Sequence, residues 1–261
     1  MTRKRTRKIS CLMVTMAVPE RFRRFTRSVL NYCEQTYPNR ELVIVPDPRF
    51  PGGIPRLESF LRKLGRSDIR LAPYSRRGRI NLGRLRNFSV RQAEGELMCQ
   101  WDDDDLHHPD RLLYQSRVLS NKRKGAVYLV DILHFLERQR KVYMANLSSS
   151  PCTCHPATGL YFKKDFPGFP ERGRASMMAE DANLLSRLSR TQEVFGLRGC
   201  PYLYTYVNHG KNLSSLSEVI MGLRSAPISH KGLKKLQKTQ HELSAIGIPQ
   251  TWLEDRFEKG E

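Results

Sequence analysis

The chain has 261 residues, of which 39% are hydrophobic and 27% are charged, and its mean hydropathy is −0.54. These values predict a soluble folded chain with a buried core, and they exclude a membrane-embedded protein and wholesale disorder. Lys and Arg number 45 against 26 Asp and Glu, so the formal net charge of +19 predicts an anionic partner.

The first predicted elements alternate between strand and helix. A basic tail over residues 1–8 precedes an apolar, β-rich run over Ile9–Met16, and Glu20–Gln35 follows with helical periodicity. A second strand over Glu41–Val45 leads into Asp47. This strand–helix–strand unit is typical of a parallel sheet, in which ligands gather beyond the carboxyl ends of the strands.

The alternation continues along most of the chain. Helices are predicted over Leu57–Leu64, Arg84–Ala93, Pro109–Leu119 and Met177–Leu188, and strands over Ile69–Ala72, Glu96–Trp101, Gly125–Phe135, Lys141–Met144, Gly159–Phe162 and Tyr202–Val207. The pattern weakens beyond Val207, where Lys231–Ala245 is interpreted as a basic surface helix. We expect one α/β domain over residues 9–215, followed by a helical C-terminal extension over residues 216–261.

The six cysteines predict a reducing compartment. Cys11 and Cys99 lie in apolar strands, where reduced thiols are common, so we expect a cytoplasmic protein. Cys152-Thr-Cys154-His155 is not followed by a second ligand pair at zinc spacing, which favours a loop over a metal site. No apolar run reaches the ~18 residues of a membrane span, so any attachment to the inner membrane face would be peripheral.

Basic residues are dense in the middle of the chain. The stretch from Arg62 to Arg91 contains ten Lys or Arg residues and one acid, Asp68. That density suits a polyphosphate, a nucleic-acid backbone or an anionic membrane surface. A solvated basic face without any ligand explains the pattern equally well.

Four consecutive carboxylates, Asp102–Asp105, follow an apolar strand and Trp101. Alternate side chains at a strand end point in opposite directions, which predicts Asp102 and Asp104 on one side and Asp103 and Asp105 on the other. Carboxylates bind Mg²⁺ or Mn²⁺ together with substrate phosphates and water, so a metal-bound phosphate ester would relieve their repulsion. A solvated acidic turn before the next helix is the simpler alternative.

Several motifs occur in an order and spacing that resemble the family-two glycosyltransferases over most of residues 9–213. They are Ile9-Ser-Cys-Leu-Met-Val-Thr15, the segment from Gln35 to Val45, Leu82-Gly-Arg-Leu-Arg-Asn87, Ala93-Glu-Gly-Glu96, the segment from Gln100 to Leu112, and Ala179-Glu-Asp181. The resemblance implies a GT-A fold, which is a Rossmann-like nucleotide-binding sheet flanked by helices. It also implies a nucleotide-sugar donor and a divalent metal.

The resemblance assigns donor roles to several residues. Asp102 and Asp104 correspond to the metal-binding DxD motif, and Asp103 is positioned for the donor ribose. Asp47 corresponds to the acidic residue that faces the nucleotide base, and Thr15 would lie under the nucleotide.

Three further residues receive roles at the reacting centre. Arg86 resembles the arginine on the phosphate side, and its guanidinium suits a diphosphate. Asp181 would be the general base, and its helical spacing from Leu184 and Leu188 predicts that it points inward. His209 lies in a late segment that reaches the metal or the pyrophosphate in this family.

The resemblance implies a metal-dependent, inverting glycosyltransferase that uses Mn²⁺ or Mg²⁺ and a nucleotide-sugar donor. A UDP-sugar is the first choice of donor. The expected acceptor is a glycan or glycolipid of surface polysaccharide biosynthesis, at an anionic membrane surface. Transfer to modified bases in DNA is the second enzyme hypothesis, because the net charge suits nucleic acid, although no helix-based DNA-reading motif is present. A non-catalytic basic binding module on the same fold is the third.

Overall fold

The computed structural model describes residues 6–75, 78–122, 125–148, 153–210 and 212. The predicted extension over residues 216–261, its helix over Lys231–Ala245, Cys152 and most of the basic tail lie outside the described residues. Within these ranges, none of the helices is both long enough and apolar enough to cross a membrane.

The described strands and helices follow the predicted alternation. The strands are β1 (Ile9–Thr15), β2 (Arg40–Pro46), β3 (Ile69–Leu71), β4 (Leu97–Gln100), β5 (Leu106–His107), β6 (Ala126–Leu129), β7 (Asp131–Leu136), β8 (Lys141–Asn146), β9 (Leu160–Phe162), β10 (Val194–Leu197) and β11 (Tyr204–Asn208). The helices are α1 (Phe22–Cys33), α2 (Ile54–Leu64), α3 (Leu82–Gln92), α4 (Arg111–Lys122) and α5 (Glu180–Thr191).

A seven-stranded sheet forms the centre of the domain, in the order β10-β6-β9-β4-β1-β2-β3. The pairs β4-β1, β1-β2 and β2-β3 are parallel, whereas β9 runs antiparallel to both of its neighbours. A smaller sheet has the order β5-β11-β7-β8. The fold is therefore a mixed α/β fold, as the sequence predicts.

Helices cover both faces of the large sheet. Apolar residues of α1, α2 and α4 pack on the face to which β1 directs Cys11 and Met13. Apolar residues of α3 and α5 pack on the opposite face, with Leu12. Because β1, β2 and β4 are buried on both sides, they are continuous apolar runs without alternating polar positions.

The structure corrects two boundaries and adds two strands. The predicted strand over Gly125–Phe135 is two strands in different sheets, separated at Val130, whose N–H donates to the Leu197 carbonyl. Helix α5 begins at Glu180 instead of Met177, because Ala179 adopts a left-handed conformation with φ 59°. Strands β5 and β10 were not predicted, because they have only 2 and 4 residues.

The parallel topology brings three predicted site residues to one edge. The register pairs Thr15 of β1 with Pro46 of β2, and Leu12 of β1 with Gln100 of β4. Thr15, Asp47 and Asp102 therefore lie at or just beyond the carboxyl ends of adjacent strands. The N–H of Asp47 donates to the Thr15 carbonyl at 2.8 Å.

A buried arginine supports the turn that carries the four aspartates. Arg111 is fully buried and donates to the Gln115 side chain at 3.1 Å and to the Gln100 carbonyl at 3.2 Å. Its guanidinium also lies 2.5 Å from Nδ1 of His107, and the His107 ring stacks on Trp101 with centroids 3.8 Å apart. These contacts fix both ends of the segment from Gln100 to His107.

Replacing this arginine tests the framework. Arg111→Leu removes the charged donor from buried acceptors on Gln100, His107 and Gln115, and we expect the free energy of unfolding to fall by about 3 kcal/mol. Urea unfolding measures the loss. Arg117→Leu removes the same charge from an exposed position on α4 and should change stability by less than about 0.5 kcal/mol. Equal stability of the two variants would contradict the framework role.

Candidate active site

The four aspartates after β4 differ in exposure and in partners. Asp103 and Asp105 are buried, whereas the side chains of Asp102 and Asp104 are 20% and 15% exposed. This alternation agrees with the sequence prediction. The partners of the four aspartates do not follow this alternation, however, because β4 ends at Gln100 and the chain bends across residues 103–105.

Arg21 neutralises two of these carboxylates. Its NH2 donates to Asp103 at 2.5 Å and to Asp104 at 2.7 Å. Thr15, which was predicted to lie under the nucleotide, donates its hydroxyl to Asp103 at 2.5 Å. Burial and the charge of Asp104 raise the pKa of Asp103, although Arg21 opposes that shift. Arg21 is thus the internal counterion for the centre of the acidic run.

Two of the three predicted metal ligands lie together. Nε2 of His209, just after β11, is 3.1 Å from Oδ2 of Asp104. Burial opposes ionisation of Asp104, but its contacts with His209 and Arg21 leave its pKa lowered. Asp102 faces a different cation, and no cluster of three or more His, Cys, Asp or Glu groups occurs in the described ranges.

This donor set still fits Mg²⁺ or Mn²⁺ bound with a diphosphate. Such ions take one or two carboxylates and complete their coordination with phosphate oxygens and water. The partly exposed carboxylates of Asp102 and Asp104 and the imidazole of His209 are suitable protein ligands. The local charge also suits a cation, because the carboxylates here outnumber the guanidinium groups that pair with them, those of Arg21 and Arg86.

Arg86 connects the acidic run to α5. It is buried, its Nε donates to Glu180 at 2.7 Å, and its NH2 donates to Asp102 at 3.0 Å. These two carboxylates and the nearby Asp181 raise the pKa of Arg86 against the effect of burial. Arg86 is therefore not a solvated arginine, and the structure directs it to carboxylates; its predicted role toward a diphosphate stays a prediction.

The first turn of α5 carries two carboxylates with different environments. The expectation that Asp181 points inward is only partly correct, because its side chain is half-buried and the fully buried acid is Glu180. Desolvation and the charge of Glu180 raise the pKa of Asp181 to about 7, although Arg86 opposes the shift. A half-buried carboxyl with this pKa is suited to exchange a proton with a substrate near neutral pH.

Asp105 is hydrogen-bonded to two uncharged donors. It accepts a short hydrogen bond from the Tyr204 hydroxyl and one of 2.9 Å from the Val207 N–H. Burial and the charges of Asp104 and Asp102 raise its pKa well above the usual range. Asp105 therefore joins the acidic turn to β11, the strand that leads to His209.

Asp47 is buried beneath an arginine. Arg49 donates from Nε to Asp47 Oδ1 at 3.0 Å and from NH2 to Asp47 Oδ2 at 2.5 Å. The Arg49 side chain is half exposed and Asp47 is almost completely covered. The structure thus places Asp47 at the predicted edge of the sheet, with its carboxylate already occupied.

The sequence profile of glycosyl transferase family 2 matches residues 10–170. The chain belongs to glycosyl transferase family 2. The matched region contains β1, the Asp102–Asp105 run and Arg86, while Asp181 and His209 follow it in the chain. No curated protein matches the sequence significantly.

Solved structures share the family-2 fold at low sequence identity. The chain resembles S. aureus TarS 1–349 in complex with UDP-GlcNAc, with 16% identity, a TM-score of 0.60 and coverage of 90% of this chain and 66% of that one. It also resembles the mannosyltransferase PcManGT from Pyrobaculum calidifontis in complex with GDP-Man and Mn²⁺, with 16% identity, a TM-score of 0.53 and coverage of 99% and 77%. In another TarS 1–349 structure the match spans 60% of that chain. The sheet and its helices are those of the GT-A fold.

Sequence reasoning missed two residues that organise the family-2 site. Arg21 lies just after β1 and showed no signal beyond its charge. Glu180 lies in the Ala179-Glu-Asp181 motif, in which the resemblance assigns a role to Asp181 alone. The basic stretch from Arg62 to Arg91 is only partly a solvated basic face. Several of its arginines form ion pairs with acids: Arg66, Arg70, Arg84 and Arg86.

The raised pKa of Asp181 predicts a pH-dependent effect on stability. The folded protein holds this proton up to about pH 7, whereas the unfolded chain releases it near pH 3.8, so ionisation destabilises the fold increasingly between these values. Asp181→Asn has no carboxyl group to ionise, so the variant does not lose this stability as the pH rises. We expect the melting temperature of the variant, relative to the parent, to be higher at pH 8 than at pH 4. A difference that does not change with pH would contradict the raised pKa.

Proposed function

We propose that the chain is a metal-dependent, inverting glycosyltransferase that moves a sugar from a nucleotide-sugar to an acceptor hydroxyl. The observation that carries the proposal is the link from the first turn of α5, which carries Glu180 and Asp181, through Arg86 to the acidic run. A carboxyl with a pKa of about 7 lies beside a guanidinium that also holds Asp102. A proton acceptor and a cation-binding edge are therefore parts of one connected site.

The donor side consists of Asp102, Asp104 and His209 for the metal and Asp103, Thr15 and Asp47 for the nucleoside. When bound, Mn²⁺ or Mg²⁺ neutralises the diphosphate as it leaves. Asp104 has a lowered pKa and is ionised, as a metal ligand must be. Binding of the base near Asp47 requires Arg49 to move or to contact the nucleotide itself.

Asp181 is the proposed general base. Its carboxylate takes the proton of the acceptor hydroxyl while the hydroxyl oxygen forms the new bond at the anomeric carbon, and the bond to the diphosphate breaks on the opposite side. A single displacement of this kind inverts the configuration. Arg86 holds Asp102 and Glu180 on either side of its guanidinium and so keeps the base and the donor site in register.

We propose a UDP-sugar as the donor, since the TarS structures include complexes with UDP and UDP-GlcNAc. The proposed acceptor is a glycan or glycolipid of surface polysaccharide biosynthesis, reached from the cytoplasmic side of an anionic membrane. The net charge of +19 supports contact with such a surface. A purely binding module has no need of a proton acceptor, so Asp181 favours the enzyme hypothesis.

Donor binding is the first test. Calorimetric titration with UDP should give a complex whose affinity increases with Mn²⁺, because Asp104 would hold the cation and the cation would neutralise charge on the diphosphate. Asp104→Ala should reduce the gain from Mn²⁺ by at least about tenfold, whereas Asp165→Ala, at an exposed carboxylate, should retain it. An undiminished Mn²⁺ effect in Asp104→Ala would refute the metal assignment. Failure of UDP, GDP and the other nucleoside diphosphates to bind the parent would refute the function.

Transfer tests the base. Asp181→Asn should bind UDP like the parent but lose about 10²- to 10⁴-fold in turnover, because it cannot take a proton. Release of UDP from a UDP-sugar, in the presence of a panel of soluble glycosides, measures turnover. The parent's rate should rise with pH up to about 7 and then level off, as the base ionises. Asp165→Asn should match the parent, and equal rates in Asp181→Asn and Asp165→Asn would exclude Asp181 as the base.

A further inference from the structure

An arginine-lined cavity lies where the start of α3 meets the segment that precedes α5. Its volume is about 530 Å³, and its walls include Arg79 and Arg84 from one segment and Arg172 and Arg174 from another. Met177 completes part of the lining and is 49% exposed. The volume lies in the range of small-molecule sites.

The cavity has an unbalanced positive charge. The acid in its lining, Glu171, lies 3.5 Å from Nε of Arg84 and accepts a hydrogen bond of 2.7 Å from Asn87. Arg79, Arg172 and Arg174 are exposed, and no carboxylate of the described residues forms an ion pair with any of them. The acidic run shows the opposite imbalance, so the two neighbouring regions attract ligands of opposite charge.

The two walls are held together by a buried framework. Asn81 donates to the Glu171 carbonyl at 3.0 Å, and Asn87 exchanges two hydrogen bonds with the backbone of Phe169, at 3.0 and 2.8 Å. The α3 backbone at Gly83 approaches so closely that a Cβ there would lie 1.9 Å from the Pro170 carbonyl oxygen. The arginines therefore project from segments of fixed separation.

The same two segments carry the reacting groups. Helix α3, which begins at the cavity, also presents Arg86 to Asp102. The other wall continues through the short helical turn Arg174–Ser176 into α5 and Asp181. Met177, the last lining residue along the chain, therefore lies four positions before the proposed base Asp181.

We propose that this cavity binds a phosphate group of the acceptor and thereby presents the acceptor hydroxyl to Asp181. This inference rests on the proposed function and specifies its acceptor as phosphate-bearing. Guanidinium groups bind phosphate with paired, charge-assisted hydrogen bonds, and the exposed thioether of Met177 offers an apolar contact for the attached sugar or lipid. A cavity of this volume suits a sugar phosphate or the headgroup of a lipid-linked phosphate, not a DNA duplex.

The test measures acceptor-side binding while the donor side is filled. The full-length protein is saturated with UDP and Mn²⁺ and then titrated with glucose 1-phosphate, with glucose, and with phosphatidylcholine vesicles that contain a polyprenyl phosphate. We expect at least one phosphate probe to bind and glucose not to bind. Binding of glucose 1-phosphate identifies a soluble source for the phosphate, and binding of the vesicles alone identifies a lipid-linked source.

A matched pair of variants connects this binding to the cavity. Arg172→Gln combined with Arg174→Gln should weaken binding of the phosphate probe by at least about tenfold. Arg117→Gln combined with Arg190→Gln removes the same charge from exposed positions on α4 and α5 and should leave it unchanged. UDP binding, measured first in each variant, confirms that the variant is folded.

Three results would overturn the proposal. They are failure of both phosphate probes with the UDP-loaded protein, equal weakening in the two double variants, and binding of a short DNA duplex through Arg172 and Arg174 when both probes fail. If UDP binds and the probes do not, only the acceptor inference fails. If UDP does not bind either, the proposed function fails as well.

Discussion

Mutual repulsion among the four carboxylates that follow β4 is the constraint on which the arrangement of this site depends. Each of the four meets a cation or a hydrogen-bond donor from another part of the chain: Asp102 meets Arg86, Asp103 and Asp104 meet Arg21, and Asp105 meets Tyr204. A buried carboxylate without such a partner would ionise only at a large cost in free energy. The pairing therefore determines which elements must pack around this edge of the sheet.

The partners stabilise the charges of these carboxylates to different degrees. The carboxylates therefore differ in pKa and in the chemistry that each can perform. The pKa of Asp104 is lowered by His209 and Arg21, the pKa of Asp105 is raised well above its usual range by burial, and burial raises the pKa of Asp181 to about 7. A site that binds a cation and also accepts a proton needs this division, since one protonation state cannot serve both tasks. Arg86 connects the cation-binding residues to the helix turn that carries the proton acceptor, because it contacts Asp102 on one side and Glu180 on the other.

The sequence was sufficient for the features that depend on regular periodicity. Alternating apolar runs predicted the parallel strands, and parallel strands placed Thr15, Asp47 and Asp102 at one edge. Which cation pairs with which acid was not predictable, because Arg86 and Glu180 are 94 positions apart and their contact depends on how α3 and α5 pack. The inward acid was assigned to Asp181 instead of Glu180 because the left-handed residue Ala179, which sets the start of α5, has no signature in an alanine. The break at Val130 was missed because mostly apolar segments continue on both sides of it, and Asp131 is a single polar position between them.

The long-range character of these contacts has a kinetic consequence. Thr15 and Asp103 are 88 positions apart, and Asp104 and His209 are 105 positions apart. Each such contact closes a long loop, and the entropy lost in closing it is offset only when the surrounding sheet has formed. The acidic edge therefore acquires its final arrangement together with the last stage of folding, and competence to bind a ligand there would report completion of the fold more faithfully than secondary structure content does.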